Sequence, residues 1–290
     1  MRRLRRDEAR EALRQAISRR GGAPLGSPLQ EICAARYDEP TAVVATTFWG
    51  ARMRVVLPEL VSCEIHEHGV IEAPLTAQFI ELVGPGAVVY DVGAHLGYYS
   101  ALAAALGGTV HAFEPSSGTL PDLRANVPGR VTIVPAALWD HETTFELKDF
   151  GAAHSAVNTL LSPKDEDLSD PVDAYAVDAT TVDSYVERTR DVPTFIKIDA
   201  EGAELQVLRG AETTLVTARP YVSVEVGDTR EQRTSRPALE FALKMDYAAY
   251  DLTDRGPTPH TLREGYPYGN VLLIPRETKP PLPAALDAGA

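Results

Sequence analysis

Two hydrophobic periods run along the chain, and the points where one gives way to the other mark its elements. Within residues 2–20, Ala9, Leu13 and Ala16 recur at three- and four-residue steps among arginines. That spacing predicts a helix, and its charge predicts a solvated, frayed arm. Residues 21–28 (GGAPLGSP) carry the breakers of a linker. From 43 to 67 the pattern turns strand-like. Residues 43–47 and 53–57 flank Gly50 as a hairpin, and His66 and His68 alternate as on one polar strand edge. Residues 76–83 return to helical spacing and stop at Gly84-Pro85-Gly86.

A regular alternation follows. Predicted strands over 87–92, 109–113 and 131–135 are separated by helices over 98–106 and 119–126. The rhythm breaks at 143–182. There, 143–147 and 173–177 read as strands around a polar stretch, 154–171, which predicts a hairpin-like insertion with a mobile loop. It resumes with strands over 194–198 and 221–226 and helices over 204–217 and 237–243. Two last strands, 247–251 and 270–274, would close the sheet as an antiparallel pair. Strand and helix alternating at this pitch predict a doubly wound α/β sheet. The chain then divides into an N-terminal helical arm and linker (1–42), an α/β domain (43–276) containing the 143–182 insertion, and a disordered tail (277–290).

Charge narrows the partners. The net charge is −13, from 28 basic and 41 acidic residues, which argues against a nucleic-acid partner. The balance is uneven, because residues 1–20 alone hold eight arginines against three acids. Arginine greatly outnumbers lysine, a bias that GC-rich bacterial coding tends to produce. Cys33 and Cys63 form neither a zinc motif nor a disulfide framework. No apolar run is long enough to span a membrane, and no apolar segment follows the N-terminus, so a cytoplasmic protein is expected. A homo-oligomer stays open.

The strongest chemical signal is residues 88–100, VVYDVGAHLGYYS. An apolar strand ends in Asp91, and a glycine loop leads into a helix. Gly93 and Gly97 would let the backbone pass close to a ligand. The helix start offers N–H groups and a positive dipole end to a carboxylate. Nicotinamide enzymes use GxGxxG here, but His95 stands at the middle position and the spacing is GxxxG. Asp91 would repel a pyrophosphate and attract an ammonium group. The local chemistry therefore favours S-adenosylmethionine over NAD. Glu114 ends the next strand (HAFEP) and can accept both hydroxyls of a ribose, which either cofactor carries. Ala136 and Ala137, after the third strand, leave room for an adenine ring.

The fourth strand and its exit read FIKIDAEGAE, residues 195–204. Ligands of open α/β sheets sit outside the carboxyl ends of the strands, which puts Asp199 and Glu201 at the reaction centre. Lys197 joins them as a candidate catalytic residue, and inside an apolar strand it needs an acid partner. Helix capping is the competing role for the two carboxylates. Glu225, in YVSVEV, is a further buried acid that needs a partner or a metal.

Together these segments resemble the FkbM family of S-adenosylmethionine-dependent methyltransferases. The matching stretches are GVIEAPLT (69–76), VVYDVGAHLGYYSA (88–101), HAFEP (111–115), TVDSYV (181–186), FIKIDAEGAELQVLRGA (195–211) and RPYVSVEV (219–226). His95 departs from the family, which usually has Asn there. The resemblance implies a class I, Rossmann-like methyltransferase fold with a seven-stranded sheet, extended here at the N-terminus. It implies O-methylation of a small-molecule acceptor, such as a secondary metabolite or a sugar in natural product biosynthesis. By position, Asp91, Gly93, His95 and Gly97 would hold the methionine end, Glu114 the ribose, and Glu72 would close over the cofactor.

An alcohol acceptor must lose a proton, so Asp199 or Glu201 is expected to act as base. Alternatively, Asp199, Glu201 and Glu225 would bind Mg²⁺ and acidify the acceptor by coordination. His154 is a third candidate base. Two other functions stay open at this point: an NAD(P)-dependent oxidoreductase on the same sheet, and a non-catalytic S-adenosylmethionine-binding protein. The acceptor pocket would draw on the N-terminal segment, the insertion and the 252–269 loop with Tyr266 and Tyr268.

Overall fold

The structure is a computed structural model that describes residues 3–151, 172–229 and 232–278. Its centre is one sheet. Strands β3 (Val88–Val92), β4 (Thr109–Phe113), β5 (Thr132–Val134), β9 (Phe195–Ile198) and β10 (Tyr221–Val226) run parallel. β11 (Tyr247–Thr253), β12 (Gly256–Pro259) and β13 (Gly269–Pro275) join antiparallel. The order is β12-β11-β13-β10-β9-β3-β4-β5, eight strands rather than the expected seven. The extra strand is β12, which folds back on β11 within what reads as a loop.

The strands alternate between two cores. Val89 and Phe195 face α1 (Arg6–Arg20), α4 (Ala73–Leu82) and α5 (Tyr98–Leu106). Tyr90, Val92, Ile196 and Ile198 face α7 (Val182–Thr189), α8 (Glu204–Arg209), α9 (Glu212–Thr217) and α10 (Ser235–Lys244). Burial on both faces explains why these strands read as continuous apolar runs. By the same parity, Asp91 and Lys197 stand side by side on the α4/α5 face. α6 (Leu120–Asn126) links β4 to β5.

Four expectations change. The N-terminal helix is no solvated arm. Ala9, Leu13 and Ala16 are buried in the main core, Arg10 Nε donates to Glu81 at 2.6 Å, and Arg6 Nε donates to the Ile80 carbonyl. Its apolar stripe was legible; its docking partner was not. Part of the linker is α2 (Gly26–Ala34). His66 and His68 lie on a helix, α3 (Leu60–His68), not a strand. Glu59 accepts the Val61 and Ser62 N–H groups at 2.9 and 2.7 Å, and Gly69 caps the other end at φ 71°. Finally, the helix expected over 204–217 breaks at Gly210. A Cβ there would lie 1.9 Å from the Trp139 carbonyl oxygen, so the chain turns away.

The hairpin forms as β1 (Thr41–Thr46) against β2 (Arg52–Leu57). In the insertion, β7 (Thr143–Asp149) pairs antiparallel with β8 (Asp173–Thr180), and β6 (Ala137–Leu138) pairs parallel with β8. The polar stretch 154–171 between them, His154 included, lies outside the described residues. No described helix is long and apolar enough to cross a membrane.

Candidate active site

A cavity of about 780 Å³ opens at the carboxyl ends of β3, β4, β9 and β10. Its strand-end wall holds Gly93, His95, Glu114, Ala136, Ala137, Lys197, Asp199 and Glu201. Its helical wall holds Leu25, Ser27 and Gln30 around the start of α2, and Glu59, Val61 and Glu64 on and before α3. Glu72, Tyr98, Glu225, Asp228 and Tyr268 bridge the two.

The strand-end wall is set by backbone contacts. Gly93, at φ 71°, packs so tightly on the β9 exit that a Cβ would lie 1.8 Å from the Asp199 carbonyl oxygen. Gly97, at φ 86°, starts α5, and a Cβ would lie 2.6 Å from a Leu123 methyl. Both glycines therefore serve close packing, Gly93 against the β9 exit and Gly97 against α6, and Gly97 is not among the residues lining the cavity. His95 sits at φ 49°, a region where Asn and His are both enriched, so the departure at this position keeps the backbone.

Glu114 is buried at the cavity. Its Oε2 accepts the His95 N–H and its Oε1 the Ser116 N–H, both at 2.8 Å. Burial raises its pKa, and those two bonds oppose the rise. Asp91 lies behind the cavity, not on it. Its Oδ2 accepts the Ser100 hydroxyl at 2.6 Å, while Oδ1 lies 4.0 Å from Lys197 Nζ without a hydrogen bond. Asp91, expected at the methionine end of the cofactor, thus stands one layer behind the lining residues. Burial also raises the Asp91 pKa.

Lys197 finds its acid partner, as a buried lysine must. Nζ donates to Asp199 Oδ2 at 2.9 Å and stands 5.2 Å over the Tyr99 ring. Burial pulls its pKa down, but Asp199, Asp91 and Glu72 outweigh that and hold the ammonium well above its usual range.

Asp199, Glu201 and Glu225 converge, with a carboxylate oxygen from each within 4.8 Å of the others. The loop between them is held by Glu204, which is buried and accepts the Gly202 N–H at 2.9 Å and the Ala200 N–H at 3.3 Å. Glu204 is visible in the sequence only as the last acid of IDAEGAE, where it reads as a helix-start residue. Glu72 accepts the Tyr99 and Tyr268 hydroxyls at 3.0 and 3.1 Å and the Asn270 amide. Burial raises its pKa. The sequence carries no sign of Tyr99 and Asn270 as site residues, because their bonds to Glu72 join segments far apart in the chain. Tyr268 reaches the cavity, whereas Tyr266 is buried against His260 and does not.

Backbone strain marks the same place. Glu72, His95 and Glu201 all have positive φ (42°, 49° and 49°), and all three line the cavity. Non-glycine residues rarely adopt this conformation, and it gathers where the surrounding structure enforces a site.

Residues 91–252 match the family described as the methyltransferase FkbM domain. The chain belongs to this methyltransferase family, and its fold is the class I methyltransferase sheet with an added edge strand. Among solved structures, it is similar to methyltransferase FkbM from Methylobacillus flagellatus KT, at 18% identity and a TM-score of 0.43, covering 73% of this chain and 52% of that one. The chain thus spans about half the length of that protein. It is also similar to a precorrin-6y C5,15-methyltransferase from Geobacter metallireducens GS-15, at 14% identity and TM-score 0.39, covering 70% and 87%. An rRNA methylase from Streptococcus thermophilus is similar at 13% and 0.39, covering 71% and 98%. No curated protein matches the chain.

Proposed function

We propose that the chain transfers a methyl group from S-adenosylmethionine to a hydroxyl of a small molecule, such as a secondary metabolite or a sugar moiety. The observation that carries this reading is Glu114. Two backbone N–H groups orient its carboxylate at the cavity, and each oxygen keeps a lone pair for a ribose hydroxyl. Ala136 and Ala137 leave space for a flat ring beside it. When bound, the cofactor supplies a methyl group on a sulfonium, whose departure leaves a neutral thioether.

The chain's own residues then have two tasks. They align the acceptor hydroxyl with the methyl group and exclude water, and they take the hydroxyl proton. Lys197 Nζ donates to Asp199 Oδ2, and the proton is assigned to Glu201, which lines the cavity beside that pair. Lys197 holds Asp199 in place and offsets its charge. An acid-lined cavity also suits a small acceptor better than a phosphate backbone. Replacing Glu201→Gln is expected to abolish transfer of labelled methyl groups into a small-molecule extract, while affinity for S-adenosylhomocysteine stays within about threefold. Near-normal transfer would remove Glu201 from this role.

The convergence of Asp199, Glu201 and Glu225 favours a second version, in which Mg²⁺ held by these three acidifies the acceptor. Full transfer after exhaustive chelation would eliminate it.

A further inference from the structure

We propose that the acceptor is a hydroxylated amine, bound as its ammonium form by the helical wall and the end of β10. This rests on the methyltransferase reading above and names the chemistry of its second substrate.

Charge at the cavity is one-sided. Among the described residues, Lys197 and His95 are the basic side chains lining it, and both stand on the strand-end wall. Lys197 is committed to Asp199. Across the cavity stand Glu59, Glu64, Glu72 and Asp228, and the hydrogen bonds they accept come from uncharged donors. Glu59 takes the N–H groups of Val61 and Ser62. Glu64 takes the Gly26 N–H at 2.9 Å. Glu72 takes two tyrosine hydroxyls and an amide. Asp228 takes the N–H groups of Ser235 and Tyr266 at 3.2 and 3.1 Å. These four make no ion pair among the described residues.

S-adenosylmethionine brings a sulfonium and an ammonium against one carboxylate, a small positive excess beside so many acids. Burial pushes Glu64 and Glu72 toward their neutral forms, and Lys197 beside Glu72 and Arg20 and His68 near Glu64 offset that only in part, with no ion pair to either carboxylate among the described residues. An ammonium group between the walls would restore their charge. An acceptor carrying phosphate, sulfate or carboxylate would be repelled. The same lining also suits a polar ligand, because the Tyr98 hydroxyl is buried there and, among the described residues, Thr76 and the Ile71 backbone lie near it without a well-formed hydrogen bond. Ser27 and Gln30 on the helical wall supply neutral partners for hydroxyls. Leu25, Ser27, Gln30, Glu59 and Glu64 all precede the family-matched residues 91–252, so this wall belongs to the part of the chain that the family match does not cover.

Glucosamine, N-acetylglucosamine and N-sulfoglucosamine share one ring and differ in charge at one nitrogen. The full chain, saturated with S-adenosylhomocysteine, is titrated with each by calorimetry. Glucosamine is expected to bind at least about tenfold tighter than the acetylated form, and the sulfated form not at all. Glu64→Gln, which keeps an acceptor for the Gly26 N–H, should weaken glucosamine roughly three- to tenfold and leave S-adenosylhomocysteine affinity and Tm in place. Equal or tighter binding of either derivative, or no binding of glucosamine, overturns the proposal. Failure to bind S-adenosylhomocysteine would instead overturn the methyltransferase reading itself.

Discussion

The two walls of the cavity are built by different means. The strand-end wall comes from the ends of four neighbouring parallel strands, β9, β3, β4 and β5, and its tightest contact is between backbones, where Gly93 meets the Asp199 carbonyl. The helical wall comes from α2 and α3, whose side chains meet it through caps and single hydrogen bonds, as where Glu64 holds Gly26. At Gly93 the first wall leaves no room for a Cβ. The second has slack: a Cβ on Gly26 would meet nothing within 4 Å. A frame that holds one cofactor geometry, joined to a looser wall that can be refitted to an acceptor, is the division of labour a methyltransferase scaffold needs.

Substitutions can break this comparison. Gly93→Ala is expected to have the largest effect, more than about 4 kcal/mol of stability or failure to fold, because the clash is with backbone that cannot swing away. Leu13→Ala should cost about 3 kcal/mol in chemical denaturation, since Leu13 is 1% exposed within the main core and anchors α1 beside α4. A negligible cost would return α1 to the solvated arm that its charge suggests. Gly26→Ala tests the slack directly. Its φ of 58° is the only penalty, so a loss of about 1 kcal/mol is expected. A loss as large as that of Gly93→Ala would erase the distinction between the walls.

The smallest effect is electrostatic. Burial raises the folded-state pKa of Glu114 above its unfolded value. The folded chain therefore binds the extra proton, and the group's favourable contribution is lost as pH rises through the folded pKa. The stability of Glu114→Gln relative to the unsubstituted chain should accordingly increase from about pH 4 to about pH 7 in denaturant titrations. The opposite slope would mean that the His95 and Ser116 N–H groups outweigh burial.

How much was legible follows the same division. β3, the glycine loop, Glu114 and the β9 exit each sit in a contiguous stretch whose residue types state their job. Asp199 and Glu201 could be placed together because the sheet topology is regular. The helical wall could not be read. Glu59 and Glu64 sit in a stretch whose alternation mimics a strand, and only the Glu59 cap and the Gly69 turn show it to be helical. Asp91 is legible as the acid that ends β3, but its enclosure by Ser100 and Lys197 is not, because those contacts come from α5 and β9. Likewise, the glycine pattern was recognised, while the atoms that require Gly93 and Gly97 lie more than twenty residues downstream.

On the proposed function, Glu114 and the strand-end wall hold the ribose of S-adenosylmethionine. Titration of S-adenosylhomocysteine into the chain and into Glu114→Ala, with NADH as the competing cofactor, tests it most directly. The account predicts binding to the unsubstituted chain, a loss of about 50- to 100-fold on Glu114→Ala from two charged hydrogen bonds, and no binding of NADH. Equal affinity for both forms of the chain, or preference for NADH, would contradict it.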